Sequence, residues 1–290
     1  MAKSYVLRWM DIELSRPETN PDHIFHRHKV LAEGDSWFTI GGVPVWNLLY
    51  SLEFPGTNVV VTLAKPGDTL KSMAEICNNS ELRFAMDKLH GYDWDAILLS
   101  AGGNDLIDYV SGKTTEDSIL IPPNERGPVN GPADYVDQSK LALLMQYIQE
   151  GYRRIVALRD APKSSCAGAP VIVHTYDLLT PANSPATIGP IVLGPWLFPA
   201  LQRANVPTTD WIALADYLLA VLRDTIVELA VPGAKQLANF HVVDTQGTLT
   251  RAALGAVGES NDWLNEIHPT KTGYEKLARK LSAKLGALLS

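Results

Sequence analysis

Five short apolar runs recur along the chain, separated by longer stretches in which apolar and polar residues mix. Each run places β-branched or aliphatic side chains at consecutive positions and is too short to be a helix. Strands that are apolar at every position are buried on both faces, as happens in parallel sheets. The pattern therefore predicts five buried strands, at residues 28–33, 58–63, 95–100, 170–175 and 240–244.

Between these runs lie stretches with the spacing of amphipathic helices. The clearest covers residues 141–155, where apolar positions fall at i, i+3, i+4 and i+7. The same spacing continues over 274–288, and 211–229 is apolar on most of its circumference. Strands that alternate with helices form right-handed βαβ units, which predicts an α/β fold whose parallel sheet is covered by helices on both faces. No internal repeat, low-complexity tract or linker divides the chain, so we expect one domain over residues 1–290.

Two connections are longer than the usual two to six residues of such folds. They cover about residues 107–132 and 178–207, and both are rich in Pro and Gly. Each leaves the carboxyl end of a predicted strand, which is the edge where open α/β sheets bind ligands. We expect them to form walls or a lid over a substrate site, with tolerated surface insertions as the alternative.

Composition narrows the class of protein further. The chain has a net charge of -7 and a pI near 5.5, which argues against non-specific binding to nucleic acid. No stretch approaches the roughly 18 apolar residues of a membrane span, and the N-terminus lacks the apolar core of a signal peptide. We therefore expect a cytoplasmic protein without a membrane span. Cys77 and Cys166 are the two cysteines, so a disulfide framework is not expected.

Polar residues gather where the predicted strands end. Gly34-Asp35-Ser36 follows the first strand, Pro66-Gly67-Asp68 the second, and Gly102-Gly103-Asn104-Asp105 the third, while His268 precedes the last helix. The carboxyl ends of parallel strands lie at one edge of a sheet. Ser36, Gly67, Asn104 and His268 are therefore expected to meet there.

This arrangement resembles the SGNH hydrolases, also called the GDSL esterase and lipase family, over residues 33–270. The resemblance places the nucleophile on Ser36, oxyanion donors on Gly67 and Asn104, and the histidine on His268. It also implies a three-layer α/β/α fold with a roughly five-stranded, flavodoxin-like sheet. An acyl-enzyme mechanism without metal or organic cofactor is expected, on a small-molecule, lipid or carbohydrate ester.

The residue types suit that chemistry on their own account. A serine hydroxyl needs a base with a pKa near neutrality, and the imidazole of His268 has one. A tetrahedral intermediate needs several donors around its oxyanion, which the backbone N–H groups of Ser36 and Gly67 and the amide of Asn104 can supply. Glycine at position 67 lets the backbone approach the substrate with no Cβ in the way.

One position departs from the family pattern. The family usually has an aspartate three residues before the histidine, where this chain has Asn265. An amide can hold the imidazole but cannot stabilise an imidazolium by charge, and exchanging such an Asp for Asn costs a serine protease about 10⁴ in turnover. We predict Asn265 as the orienting residue and Asp262 as the next candidate, with Glu266 or a backbone carbonyl as further alternatives.

Other polar and aromatic residues receive weaker predictions. Trp37, Trp196, Trp263 and Asp177 are candidate substrate-binding residues, although aromatic side chains are more often core. His23, His26 and His28 lack the companions of a metal site and are interpreted as packing or solvated side chains. Two other functions remain open: an acyltransferase on the same site, and a non-catalytic binding module that keeps the fold. The oligomeric state is left open.

Overall fold

The computed structural model describes residues 2–39, 46–75, 79–112, 118–188 and 190–290. Cys77 lies outside these residues, whereas Cys166 is buried as a free thiol. Seven strands form the main sheet, and two more form a separate antiparallel hairpin. In chain order, the nine strands are β1 Ala2–Arg8, β2 His28–Gly34, β3 Glu53–Phe54, β4 Asn58–Thr62, β5 Ala96–Ser100, β6 Val171–His174, β7 Ala186–Ile188, β8 Ile191–Leu193 and β9 Phe240–Val243.

The main sheet has the order β3-β1-β4-β2-β5-β6-β9. The five predicted strands are its parallel centre, β4-β2-β5-β6-β9, in which the first strand lies between the second and the third. This is the flavodoxin-like order, and the α/β prediction is confirmed. β4 and β5 are completely buried, as their continuous apolar runs predict.

The estimate of about five strands was too low. β1 adds a parallel strand beside β4 over five residues, and β3 pairs antiparallel with β1. β1 carries exposed side chains such as Lys3 and Tyr5 among half-buried ones, because it lies near the edge of the sheet. It therefore lacks the continuous apolar run by which the central strands were recognised.

The helices complete the three layers. α4 packs against α1, α3 and α6, whereas α7 packs against β3 and β9. The buried side chains of α4 follow the predicted stripe, from Leu141 through Ile148 to Ile155. The α-helices of the described residues are α1 Leu70–Ala74, α2 Ser80–Ala85, α3 Gly103–Ser111, α4 Gln138–Arg159, α5 Phe198–Arg203, α6 Trp211–Val227 and α7 Lys271–Leu288.

Regular structure extends into the described parts of both long connections. α3 continues to Ser111, so the first connection begins later than residue 107. The second, 178–207, contains the β7–β8 hairpin and the short helix α5. The second connection contributes Leu179 and Leu197 to the cavity described below, whereas the described part of the first connection after Ser111 contributes none of its lining residues.

Candidate active site

Ser36 lies in a tight turn directly after β2. The Asp35 N–H donates to the carbonyl of Ser100 on β5, and the Asp35 carboxylate accepts the Trp37 N–H at 3.0 Å. A Cβ at Gly34 would lie 2.8 Å from the Cβ of Ser100, so glycine is needed where β2 approaches β5 this closely. The turn presents the Ser36 hydroxyl at the carboxyl edge of the sheet, almost fully buried.

Three side chains of the predicted set meet there. His268 Nε2 lies 2.8 Å from Ser36 Oγ, and His268 Nδ1 lies 3.0 Å from Asn265 Oδ1. Thr270 caps the start of α7 by accepting the Gly273 N–H, which ends the His268 loop two residues after the histidine. The geometry thus forms a chain from serine to histidine to asparagine.

The orientation of the Asn265 amide is set by the backbone. Its Oδ1 accepts the N–H groups of Ile267 at 3.2 Å and His268 at 2.9 Å. A flipped amide would turn its NH₂ group toward these donors, so the oxygen must face the imidazole. His268 therefore carries its proton on Nδ1, and the lone pair of Nε2 faces the Ser36 hydroxyl.

His268 is enclosed by the protein. Burial lowers its pKa to about 3, because a charged imidazolium would be poorly solvated there. The ring of Trp196 meets the imidazole edge to face, with 5.3 Å between ring centroids. At neutral pH the imidazole is therefore in the uncharged form that a general base requires.

The alternative orienting residues lie elsewhere. Asp262 accepts the Thr250 N–H and pairs with the Lys276 ammonium at 2.6 Å. Glu266 accepts the backbone N–H groups of Ala182, Trp196, Leu197 and Phe198, and burial raises its pKa to about 7. Both carboxylates are used to hold loops in place, and the described contacts join neither of them to His268.

Asn104 and Gly67 lie in a hydrogen-bonded corner, which is formed by the start of α3 and the turn that contains Gly67. Asn104 Nδ2 donates to the carbonyl of Asp68 at 3.0 Å, and the carboxylate of Asp105 accepts the Leu70 N–H at 2.9 Å. The first turn of α3 thereby holds the turn that contains Gly67. Gly67 has a φ of +79°, a left-handed conformation that favours glycine. The corner keeps the predicted donors on the same rim as Ser36.

A narrow apolar cavity opens beside Ser36 and Asn104, with about 40 Å³ of space accessible to water. Trp263 forms part of its wall, and the buried indole N–H of this residue has no hydrogen-bond partner among the described residues. Most of the remaining wall is aliphatic and comes from α3, α6 and the second long connection, including Leu106, Ile107, Leu179, Leu197, Leu218 and Leu219.

Trp37 and Asp177 also line this cavity, but the protein uses their polar groups. Trp37 Nε1 donates to the Ile267 carbonyl at 3.2 Å, and its ring stacks on His174. The Asp177 carboxylate accepts the N–H groups of Leu178, Gly247, Thr248 and Leu249. Trp37 therefore positions the Ser36 turn and the His268 loop, and Asp177 holds the 247–249 turn.

A second buried network, which the sequence analysis missed, lies beneath the Ser36 turn. The carboxylate of Asp35 accepts the Tyr176 hydroxyl at 2.5 Å and the Ser100 hydroxyl at 2.8 Å. His174 Nε2 lies 2.9 Å from Ser100 Oγ. Burial raises the pKa of Asp35 to about 6. The one sequence signal was a cluster of polar residues at the end of the fourth predicted strand, His174-Thr175-Tyr176-Asp177.

Comparison with known proteins places this geometry in a family. The family model for GDSL-like lipases and acylhydrolases matches residues 39–281. The chain belongs to this family. The match includes Gly67, Asn104 and His268 and begins three residues after Ser36. No curated protein sequence matches the chain.

Several solved structures are similar to this chain at low sequence identity. An extracellular lipase from Streptomyces rimosus is 15% identical, with a TM-score of 0.45 over 88% of this chain and 99% of the lipase. An acetylxylan esterase from Geobacillus stearothermophilus is also 15% identical, with a TM-score of 0.44 over 91% of this chain and 96% of the esterase.

Among the described residues, no group of three or more His, Cys, Asp or Glu side chains is arranged to hold a metal ion. None of the described helices combines the length and the apolarity that crossing a membrane demands.

Proposed function

We propose that this GDSL hydrolase is a serine esterase that cleaves carboxylic esters through an acyl-enzyme on Ser36. His268 acts as general base and then as general acid, and Asn265 orients its ring. The backbone N–H groups of Ser36 and Gly67 and the amide of Asn104 hold the oxyanion. Every group in this scheme belongs to the protein chain.

One observation carries the proposal: the lone pair of His268 Nε2 faces Ser36 Oγ across 2.8 Å. At this distance the imidazole can accept the hydroxyl proton as Oγ bonds to the ester carbonyl carbon. The imidazolium that forms then protonates the departing alkoxide, and the acyl group remains on Ser36. Water, deprotonated by His268 in the same way, releases the acid and restores the serine.

The oxyanion forms beside donors that are already in place. The Asn104 amide has two N–H donors, and the Asp68 carbonyl accepts one of them. We assign the second, together with the N–H of Gly67 in the same hydrogen-bonded corner, to the developing negative charge. Donors fixed before the reaction do not need to reorganise in the transition state, which is the main source of their effect.

Asn265 is proposed to replace the usual aspartate without its charge. In a protease whose Asp becomes Asn, the flipped amide leaves the histidine in the wrong tautomer. Here the N–H groups of Ile267 and His268 prevent that flip. The loss relative to an aspartate is therefore confined to the missing stabilisation of the imidazolium.

The cavity beside Ser36 limits the acyl group. Its volume of about 40 Å³ has room for about three water molecules, so we expect acyl chains of about two to four carbons to fit best. Trp263 is proposed to donate its unpaired indole N–H to an oxygen atom of the substrate. A Trp263→Phe variant keeps an aromatic wall while removing this donor.

Turnover of 4-nitrophenyl esters tests the proposal, with Ser36→Ala beside the matched variant Ser100→Ala. We expect Ser36→Ala to lose at least about 10⁴-fold in kcat and Ser100→Ala to lose less than about tenfold, because Ser100 lies beneath the site. A fluorophosphonate probe should label Ser36 in the wild type and in Ser100→Ala. Unchanged hydrolysis in Ser36→Ala, or labelling of another residue, would exclude the esterase.

A further inference from the structure

The second long connection contains an unusually long stretch without charge. Residues 178–202, which are 25 consecutive positions, include no Asp, Glu, Lys, Arg or His, although 20% of the whole chain is charged by the first four types. A second uncharged stretch, 252–258, lies later in the chain. About five charged residues would be expected in the longer stretch at the composition of this chain.

Large apolar side chains in both stretches face solvent. On β8, Ile191 is 55% exposed, Val192 61% and Leu193 45%, so consecutive side chains on both faces of the hairpin lack cover. In the second stretch, Leu254 is 54% exposed and Val257 80%. A lone two-stranded hairpin is marginally stable in water, and contiguous exposed apolar surface usually marks an interaction site. We call these five residues the apolar rim.

Hydrogen bonds connect the base of the β7–β8 hairpin to the loop that carries His268. The Glu266 carboxylate accepts the N–H of Ala182 on one side of the hairpin and those of Trp196 and Phe198 on the other, so it pins the hairpin at its base. Glu266 is two residues from His268.

The two uncharged stretches are also joined to each other. The Ser184 hydroxyl accepts the N–H of Gly258 at 2.9 Å, which joins the 252–258 stretch to the segment before β7. The hairpin and the 252–258 stretch are therefore connected to each other, and Glu266 connects the hairpin to the loop that carries His268.

We propose that the apolar rim docks this protein on the surface of a neutral lipid phase that carries its ester substrate. Interfaces with proteins have a polar margin and hydrogen-bond partners, whereas a lipid surface accepts apolar side chains without directional partners. The lack of Lys and Arg in both stretches favours uncharged or zwitterionic lipid over anionic lipid. The rim inserts into the lipid surface, while the narrow cavity receives a short acyl group.

The docking surface deepens the proposed esterase function and rests on it for the nature of the substrate. Binding itself needs no catalysis, so it can be measured in a protein that lacks Ser36 Oγ. Failure of binding would leave the esterase reading intact, and failure of hydrolysis would leave the binding result intact.

Co-sedimentation with phosphatidylcholine vesicles, using Ser36→Ala protein throughout, tests the docking. We expect this protein to partition onto the vesicles and the triple variant Ile191→Ser/Val192→Ser/Leu193→Ser to bind at least about tenfold more weakly, since three half-exposed side chains lose their apolar burial. Raising NaCl from about 0.1 M to about 1 M should not release the protein, because an uncharged contact is not screened.

The matched control is Ile24→Ser/Leu89→Ser/Leu143→Ser, which removes three apolar side chains that are 96%, 86% and 64% exposed outside the rim. It should bind like its parent. With Ser36 restored, the rim variant should hydrolyse dissolved 4-nitrophenyl acetate within about twofold of wild type if its fold is intact, since exposed substitutions cost little stability.

Three results would overturn the proposal: no partition of the parent onto vesicles, equal partition of the rim variant, or release by salt. Light scattering adds a fourth. A parent dimer that the rim substitutions convert to monomers would assign the rim to a second copy of this chain.

Discussion

Two buried serine–histidine pairs lie near the carboxyl edge of this sheet, and they differ in which ring nitrogen of the histidine carries the proton. His268 Nε2 lies 2.8 Å from Ser36 Oγ, and His174 Nε2 lies 2.9 Å from Ser100 Oγ. Each imidazole is buried against a tryptophan ring, Trp196 for His268 and Trp37 for His174. Distance and burial alone would give both serines the same chemistry.

The other nitrogen of each ring separates the pairs. His268 Nδ1 faces the oxygen of Asn265 and must donate, whereas His174 Nδ1 accepts the Tyr176 N–H at 3.1 Å. His174 therefore carries its proton on Nε2 and donates to Ser100, whose own hydroxyl donates to Asp35. A histidine that donates to a serine cannot deprotonate it, so the Ser100 pair is a structural contact.

Burial does not discriminate between the pairs. It lowers the pKa of both imidazoles to about 3, and both are neutral near pH 7. Whether the serine can act as a nucleophile therefore depends on which group contacts Nδ1, the nitrogen of the histidine that faces away from the serine.

Replacing each histidine by glutamine should give the largest difference in kcat between the two pairs. His268→Gln should lose at least about 10⁴-fold in kcat, because an amide cannot accept and return the Ser36 proton. His174→Gln should lose less than about tenfold, because an amide oxygen can accept the Tyr176 N–H while its NH₂ group donates to Ser100. Steady-state kinetics on 4-nitrophenyl acetate measure both, with circular dichroism as the control for folding. Equal losses would contradict the tautomer assignment.

Changes at Asn265 should alter kcat and the pH dependence of kcat/KM, because this residue contacts the far nitrogen of His268. Asn265→Ala should lower kcat by about 10-fold to 100-fold, since the imidazole loses the acceptor that holds its tautomer. Asn265→Asp keeps the acceptor and adds a negative charge, which raises the pKa of His268.

The direction of the pH effect follows from the neutral form being the active base. In the wild type the lowered pKa of His268 places the acid limb of kcat/KM below the ordinary histidine value of about 6.5. In Asn265→Asp that limb should move to higher pH. A limb at the same pH in both proteins would show that Asn265 does not face the ring.

Removing the Tyr176 hydroxyl should have the smallest effect on turnover. Tyr176→Phe leaves Asp35 with the Ser100 hydroxyl and the Trp37 N–H. We expect a loss of about 1–3 kcal/mol in the free energy of unfolding, typical of a hydrogen bond to a buried charged group, and less than about tenfold in kcat. Urea unfolding and kinetics together measure the two effects. A loss in kcat as large as that of His268→Gln would show that the buried network beneath the Ser36 turn takes part in catalysis.

Much of the fold could be predicted because its centre is locally encoded. Strands buried on both faces are apolar at every position, and their alternation with helices predicts a parallel sheet. The flavodoxin-like arrangement was implied only by the resemblance to the SGNH family. β1 was not predicted because a strand near the edge of the sheet has a mixed pattern of exposed and half-buried positions. The β7–β8 hairpin was not predicted because it lies within a Pro- and Gly-rich segment. The pairing partners of such strands are set by tertiary contacts that leave no periodic signal.

The sequence by itself determined which residues stand at the strand ends and before the last helix: short local motifs put Ser36, Gly67 and Asn104 after three central strands and His268 before α7. The tertiary structure alone decided how their protons are arranged. Asn265 rather than Asp262 or Glu266 faces the imidazole because backbone N–H groups hold its oxygen there. His174 has the opposite tautomer for the same kind of reason. Such choices depend on angles and on differences in distance of a few tenths of an ångström. The residues involved, such as Ser36 and His268, lie far apart in the chain, so no local pattern encodes these differences.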